Sequence, residues 1–428
     1  MKIYFDNITH ITSPNCEHLS KNNSIDFWLT SPGTRLKEEL QRLNISYYNL
    51  ADLNEPGLYF VEVNGDPNWW CGLCLDENGP PHILSKIPNE ILDLVRAKKL
   101  RLVISADREG GGMIYKGQNG FQATTNAMQL YNLPAGSVLI IQGNSKIESQ
   151  YADWLTETGQ PKLFEVKYSN HFDKIFINSE SAPPPIEPIV CESLLSPTAK
   201  DFNSLNRTYK SHRSAHLYLL ATNGWLDKGL VSANEIQTGN QDPLRLLNII
   251  SSDNNFVNNQ LIKDFDTVMS FQYPKFVDGD WRINNAANSV NNDIFKNSLL
   301  SFVTETKFDE DVIFLTEKVF KCLAYGHPMI VLAPYGTLTA LEKLGYHTNI
   351  CGINPAYNDI KNHSDRFFAT HHALQTWINF SPKKKRSKIN DSLPSIKHNL
   401  RLSASRNFYH ESLMSVINIS ESYFNDKF

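Results

Sequence analysis

The chain predicts an α/β protein built on two mostly parallel, doubly wound sheets, and three observations carry that reading. Short apolar runs alternate with amphipathic helical stretches from the first residues onward. The alternation breaks once, at the polar, proline-rich segment Ser179-Glu-Ser-Ala-Pro-Pro-Pro-Ile-Glu-Pro188, and then resumes. A length of 428 residues suits two domains of about 200 residues better than one.

In the first half, strands are expected at 2–5, 57–63, 100–105, 137–142 and 162–168. Helices are expected at 34–43, led by Ser31-Pro-Gly, at 88–98 with Pro88 just inside its start, and at 123–131 and 149–158. After the break, strands are expected at 201–205, 229–232, 297–305 and 329–332, and helices at 212–223, 317–325 and 337–344. The stretch 346–350 ends that run, 240–260 reads as irregular, and 374–378 and 399–423 read as helical. The domains are therefore placed at 1–178 and 201–400, joined by a linker over 179–200. A C-terminal helix over 401–428 is expected to pack back on the first domain. A cleft between the two halves is the expected ligand site, since open parallel sheets bind ligands outside the carboxyl ends of their strands.

Composition narrows the class. Hydrophobic residues make up 41% and charged residues 20%, enough for a large core. The net charge of −4 argues against a broad face for nucleic acid, although the basic run Pro382-Lys-Lys-Lys-Arg386-Ser-Lys388, whose ordinary reading is a solvated loop, leaves a local one open. Six cysteines in this length do not make a disulfide framework and suit a reducing compartment. No basic leader and no run of about 18 apolar residues occurs, so a soluble, cytoplasmic protein is expected.

The most informative stretch is Phe314-Leu-Thr-Glu-Lys318 followed by a helix that stops at Gly326 and a strand led by Pro328. A helix N-terminus attracts anions through its unpaired N–H groups and its dipole. Lys318 in that first turn opposes the dipole, so an external anion beside it is expected. The neighbouring carboxylate of Glu317 suits the hydroxyls of a sugar or ribose. A ligand with both phosphate and sugar follows.

Ser301-Phe-Val-Thr-Glu305, Thr316-Glu317-Lys318 and Gly326-His-Pro together resemble the donor-binding region of α1,3-fucosyltransferase-like enzymes. Leu205-Asn-Arg207-Thr-Tyr-Lys-Ser-His-Arg213 and the segment 226–232 are similar to glycosyltransferase-like proteins of phages and marine bacteria. The resemblance implies the GT-B fold, two Rossmann-like domains facing a cleft, and transfer of a sugar from a nucleotide-sugar without a metal or other cofactor. It implies that Lys318 contacts the pyrophosphate and that Glu317, beside Thr316, lies at the ribose. Arg213, or alternatively Arg207, would clamp the phosphates, and Glu305 would lie near the donor sugar or ribose. Thr306 and the charged stretch 307–311 depart from the fucosyltransferase pattern, which leaves fucose and guanine open.

For a catalytic base, Ser105-Ala-Asp107-Arg-Glu109-Gly-Gly-Gly112 follows the strand at 100–105, and Glu109 or Asp107 would take the acceptor proton. The acceptor would be a glycan or lipopolysaccharide, a protein, or a hydroxylated base in phage DNA. Two alternatives stay open: a non-catalytic binding or assembly protein with a degenerate GT-B fold, and a nucleotide-dependent hydrolase without a Walker motif. Trp69-Trp-Cys71-Gly-Leu-Cys74 and the other cysteines read as buried thiols. Asp278-Gly-Asp280 reads as a solvated turn, and His327 as a residue that shapes a turn close to the phosphate site.

Overall fold

A computed structural model describes residues 1–5, 28–30, 40–41, 43–64, 83–106, 114–115, 118–173, 185–206, 210–233 and 290–425. The chain forms two compact units: Met1–His171 with Phe408–Phe428, and Phe172–Asn407.

The first unit contains β1 (Lys2–Phe5), β2 (Trp28–Thr30), β3 (Tyr47–Asn49), β4 (Gly57–Asn64), α1 (Asn89–Arg96), β5 (Leu100–Ala106) and the small hairpin β6 (Ile114–Tyr115) with β7 (Gln118–Asn119). It continues with α2 (Gly120–Leu130), β8 (Val138–Gln142), α3 (Ile147–Thr158) and β9 (Glu165–Tyr168). Its main sheet runs β3-β1-β4-β5-β8-β9, all parallel, and β2 adds antiparallel to β4. β5 and β8 are buried along their whole length, as continuous apolar runs in a two-sided parallel sheet should be. Strand alternation divides their side chains. Leu102, Ile104, Val138 and Ile140 pack with α1, α2 and α3, whereas Val103, Leu139 and Ile141 pack on the opposite face.

The second unit contains α4 (Val190–Leu195), β10 (Phe202–Asn206), α5 (Ser211–Thr222), β11 (Gly229–Ala233), α6 (Asn292–Lys296), β12 (Ser301–Thr304), α7 (Glu317–Ala324), β13 (Met329–Leu332) and α8 (Thr337–Lys343). Two long helices follow, α9 (His363–Asn379) and α10 (Pro382–Ser405). The sheet is parallel with order β11-β10-β12-β13. Chain order therefore reverses between β10 and β12, which is its topological switch point. The final helix, α11 (Phe408–Asn425), belongs to the first unit and lays Leu413, Val416 and Ile417 against Val103, Leu139 and Ile141.

Several boundaries differ from the sequence expectation for identifiable reasons. α2 starts at Gly120 because the Asn119 side chain accepts from the N–H groups of Phe121 and Gln122. The segment 185–200, read as linker, belongs to the second unit: Ile189 N donates to Tyr325 O at 2.9 Å, and Ile189 and Val190 are buried. The run 382–388, read as a loop, opens α10. Ser381 caps it through Lys384 N, Pro382 sits in the first turn, and Lys385 is buried on Asp201 at 2.6 Å. The expected helix over 399–423 is two helices, divided at Arg406 and Asn407. Gly326 ends α7 with φ +62°, and a Cβ there would sit 2.7 Å from Pro188. The helix expected at 34–43 lies largely outside the described residues, as do the stretches 69–74, 240–260 and 278–280. Among the described residues no helix is long and apolar enough to cross a membrane.

Arg101 ties α11 to the first sheet. It is 1% exposed, and its guanidinium donates to Gly136 O at 2.9 Å, Ile419 O at 3.1 Å and Ser420 Oγ at 2.9 Å, beside the Tyr423 ring. Burial lowers its pKa to about 10, with Glu165 opposing, so it stays charged at neutral pH. Arg101→Ala removes the donor of the Gly136 carbonyl and of the Ser420 hydroxyl and one of the two donors of the Ile419 carbonyl. It should lower unfolding stability by about 3 kcal/mol, read as a fall in the urea midpoint.

Candidate functional site

The second sheet is weakest where the chain order reverses. β10 and β11 pair at five positions and β12 and β13 at four, but β10 and β12 pair only at Asn203 and Ser301. Beyond that pair the carbonyls at the end of β12 lack a strand partner on the β10 side. Buried carbonyls need donors, and α5 supplies them. His212 Nε2 donates to Glu305 O at 2.9 Å, and Arg213 donates one guanidinium nitrogen to Thr304 O at 3.1 Å and Glu305 O at 3.3 Å. Both side chains are 5% exposed. Burial pushes the Arg213 pKa down, against the pull of Glu305 and Glu317.

Glu305 follows β12, and its side chain reaches across the stretch 306–316 to the residue that caps α7. Its side chain is fully buried. Oε2 accepts from the Thr316 hydroxyl at 2.6 Å and from Thr306 N at 3.2 Å, while Oε1 accepts from Thr316 N at 3.2 Å. Thr316 in turn caps α7 by accepting from Lys318 N at 3.4 Å. Burial raises the Glu305 pKa, and Lys318 and the Thr316 bond work against that rise.

Lys318 reaches Glu317 Oε1 at 3.0 Å, Thr316 Oγ1 at 3.1 Å and Thr306 Oγ1 at 3.4 Å, and its side chain keeps 26% of its surface exposed. Burial raises the Glu317 pKa, but Lys318 and Lys321 outweigh it and the carboxyl lies below its usual range. Glu317 thus supplies Lys318 with a counter-charge from within the chain. Both side chains of the pair are part-buried, Lys318 with 26% and Glu317 with 16% of its surface exposed.

The structure thus brings Arg213, Glu305, Thr316, Glu317 and Lys318 to one sheet edge. Arg207, Asp107 and Glu109 lie outside the described residues. His327 does not belong to this edge. It is buried at the opposite, amino end of β12, where Nε2 donates to Ser298 O at 2.8 Å and Nδ1 accepts from the Ser301 hydroxyl at 2.9 Å. The expectation that it lies close to the phosphate site fails because α7 carries the chain back along the sheet before the turn. Among the described residues no three His, Cys, Asp or Glu side chains gather as metal ligands.

The sequence reading missed a buried polar chain behind the site. His371 Nδ1 lies 2.7 Å from Phe367 O, a carbonyl that can only accept, so that nitrogen donates. With burial holding its pKa at about 4, the ring is neutral and its Nε2 accepts from His216 Nδ1 at 2.9 Å. His216 Nε2 then accepts from the Ser204 hydroxyl at 2.9 Å, and Asn206 Nδ2 donates to Ser204 Oγ at 3.0 Å. The Thr304 hydroxyl donates to Asn206 Oδ1 and completes the series beside Glu305. Every donor points the same way, from β12 to α9. His216 also stacks on Phe302 with ring centroids 4.3 Å apart. The available signal was β10 itself, where Asn203, Ser204 and Asn206 place three polar side chains in a buried strand.

No protein-family model matches the chain, and no curated protein matches it.

The buried histidines impose a pH dependence. Burial lowers the pKa of His327 and His371 to about 4 and of His212 to about 3, and holds His216 well below its usual value. The unfolded chain binds these protons near pH 6.5 and the folded chain only near pH 4 or below. Their contribution is full above pH 6.5 and shrinks as pH falls, by about 2 kcal/mol per histidine at pH 5. Glu305 offsets part of this, because its raised pKa favours proton uptake by the folded state. Urea midpoints should drop sharply between pH 7 and pH 5; equal midpoints would mean that these rings are already charged in the fold.

Proposed function

We propose that the second unit binds a nucleotide-sugar and that the protein is a metal-independent glycosyltransferase of GT-B type. The observation that carries the reading is the place of the cluster. Arg213, Glu305, Thr316, Glu317 and Lys318 meet at the carboxyl edge of a parallel sheet, at its switch point and at a helix N-terminus, where phosphate-bearing ligands bind in such sheets. The likeness of these residues to the donor region of fucosyltransferase-like enzymes agrees with it.

In this reading Lys318 exchanges Glu317 for the diphosphate and stabilises the charge that grows on it as the glycosidic bond breaks. The N–H groups opening α7 add to that field. Glu317, released from Lys318, accepts from ribose or sugar hydroxyls. Arg213 and His212 act one step back: they hold the carbonyls of residues 304 and 305, so that Glu305 and Thr316 keep their geometry. The acceptor, a glycan, a protein or a hydroxylated base, is taken by the first unit, with Glu109 or Asp107 as the base that receives its proton.

The internal Glu317–Lys318 pair favours one rival, a binding or assembly protein that retains the fold without turnover. One experiment bears on both. Melting temperatures are measured with GDP-, UDP-, CMP- and dTDP-sugars in excess, and a bound donor should raise Tm by an amount set by its Kd. Lys318→Ala should abolish the shift and lower sugar transfer by about 100-fold or more, and should also lower the unliganded Tm, since it leaves the part-buried Glu317 carboxylate without its counter-charge. No shift with any of the four nucleotides rules out the donor site. A shift without transfer leaves the binding protein.

A further inference from the structure

The carboxyl edge of the first sheet holds a group that the fold leaves unused. Gln142 closes β8 and is 1% exposed, and among the described residues neither its Nε2 nor its Oε1 has a hydrogen-bond partner. Val138 and Ile140 pack with α1, α2 and α3, so Gln142, next in the alternation, faces the same side. Its ladder neighbours are Ala106 at the end of β5 and Tyr168 at the end of β9.

Polar residues are concentrated along this edge: Asn144, Ser169 and Asn170 are also buried. Unlike Gln142, the two asparagines have bonded side chains. Asn144 donates to Gln150 Oε1 at 2.9 Å and accepts from Lys146 N at 3.0 Å, and Asn170 donates to the Tyr168 hydroxyl at 3.1 Å. The fold therefore satisfies the polar side chains it needs for its own turns and leaves one amide over. Burying an unpaired amide opposes folding, and native proteins hold few such groups. A leucine would fill a similar volume without that penalty. Among the described residues this amide is left unpaired at the carboxyl end of a parallel strand, where ligands of such sheets bind.

We propose that Gln142 is the polar contact of a ligand site on this edge, for a neutral molecule that presents adjacent hydroxyl groups, a sugar. A primary amide offers a donor and an acceptor side by side, which pair with two neighbouring hydroxyls. Among the described residues the buried side chains named along this edge are uncharged, and Lys167 on β9 is already paired with Glu148 at 2.8 Å. The choice of a sugar rests on the transfer reading above; the unpaired amide does not.

The probes are methyl glucoside, N-acetylglucosamine and lactose, titrated to tens of millimolar into nitrogen-15-labelled full-length protein. The side-chain NH₂ resonance of Gln142 is assigned by its loss in Gln142→Leu, or in Gln142→Asn if the leucine variant does not fold. At least one sugar should move that resonance saturably, and the variant should bind the same sugar at least tenfold more weakly. Gln142→Leu without ligand should melt about 2 °C higher than the parent, because an unpaired polar group has been removed. A resonance that none of the sugars moves overturns the proposal. So does a variant that melts lower and binds the sugar as tightly as the parent, the outcome expected if the amide holds only a buried water. The nucleotide shifts that depend on Lys318 are read separately, so a missing sugar response leaves the donor site standing.

Discussion

The parting of β10 from β12 is the constraint on which the candidate site depends. A parallel strand that loses its neighbour before its end exposes carbonyls that no ladder can satisfy. Here the deficit falls on residues 304 and 305 and is met by Arg213 and His212 from the first turn of α5. The end of β13 is treated in the same way. Arg366 from α9 is buried and donates Nε to Ala333 O at 2.9 Å and another guanidinium nitrogen to Phe308 O at 2.8 Å. Two buried guanidiniums thus close two adjacent strands, and each brings a helix with it.

Fixing the end of β12 fixes Glu305, and Glu305 fixes the start of α7. Its carboxyl is bound by both the backbone and the hydroxyl of Thr316, the residue that caps the helix. The helix N-terminus, a natural anion position, is in this way partly filled by the protein's own carboxyl. Lys318 stands over the arrangement with its charge balanced by Glu317 and some of its surface open. An edge built like this has a rigid inner layer of bonded groups and an outer, part-buried ion pair. The directed chain from Thr304 to His371 supports the inner layer from behind. It requires two neutral imidazoles, since a second proton on either ring would set two donors against each other.

The first unit shows the complementary pattern. Its core faces are apolar and complete, and α11 closes one of them with the help of Arg101. Among the described residues, Gln142, Asn144, Ser169 and Asn170 gather buried polar groups at the carboxyl edge after β8 and β9. Most of them shape turns, and Gln142 does not. Inside the strands a polar side chain is kept where the fold supplies its partner, as Arg101 finds in α11 and Ser204 finds in His216.

Much of this was legible in the residues. Continuous apolar runs such as 138–141 and 329–332 could hardly be anything but buried parallel strands, and the Thr-Glu-Lys sequence before an amphipathic run marked the start of α7. Those signals are local, and local spacing determines strand, helix and cap. Sequence spacing did not reveal the partners of buried polar groups. His212 and His216 looked like ordinary helix residues until Glu305 and His371, over 90 positions away, came into contact with them. The basic run 382–388 looked like a solvated loop until Asp201 took Lys385. His327 looked close to the helix start because it is close in sequence, yet α7 runs antiparallel to the strands and moved it to the far end of the sheet. Composition and periodicity decided which segments would be buried. Only the tertiary fold decided which distant donor would meet each buried acceptor, because hydrogen bonding depends on position in space and leaves no period in the chain.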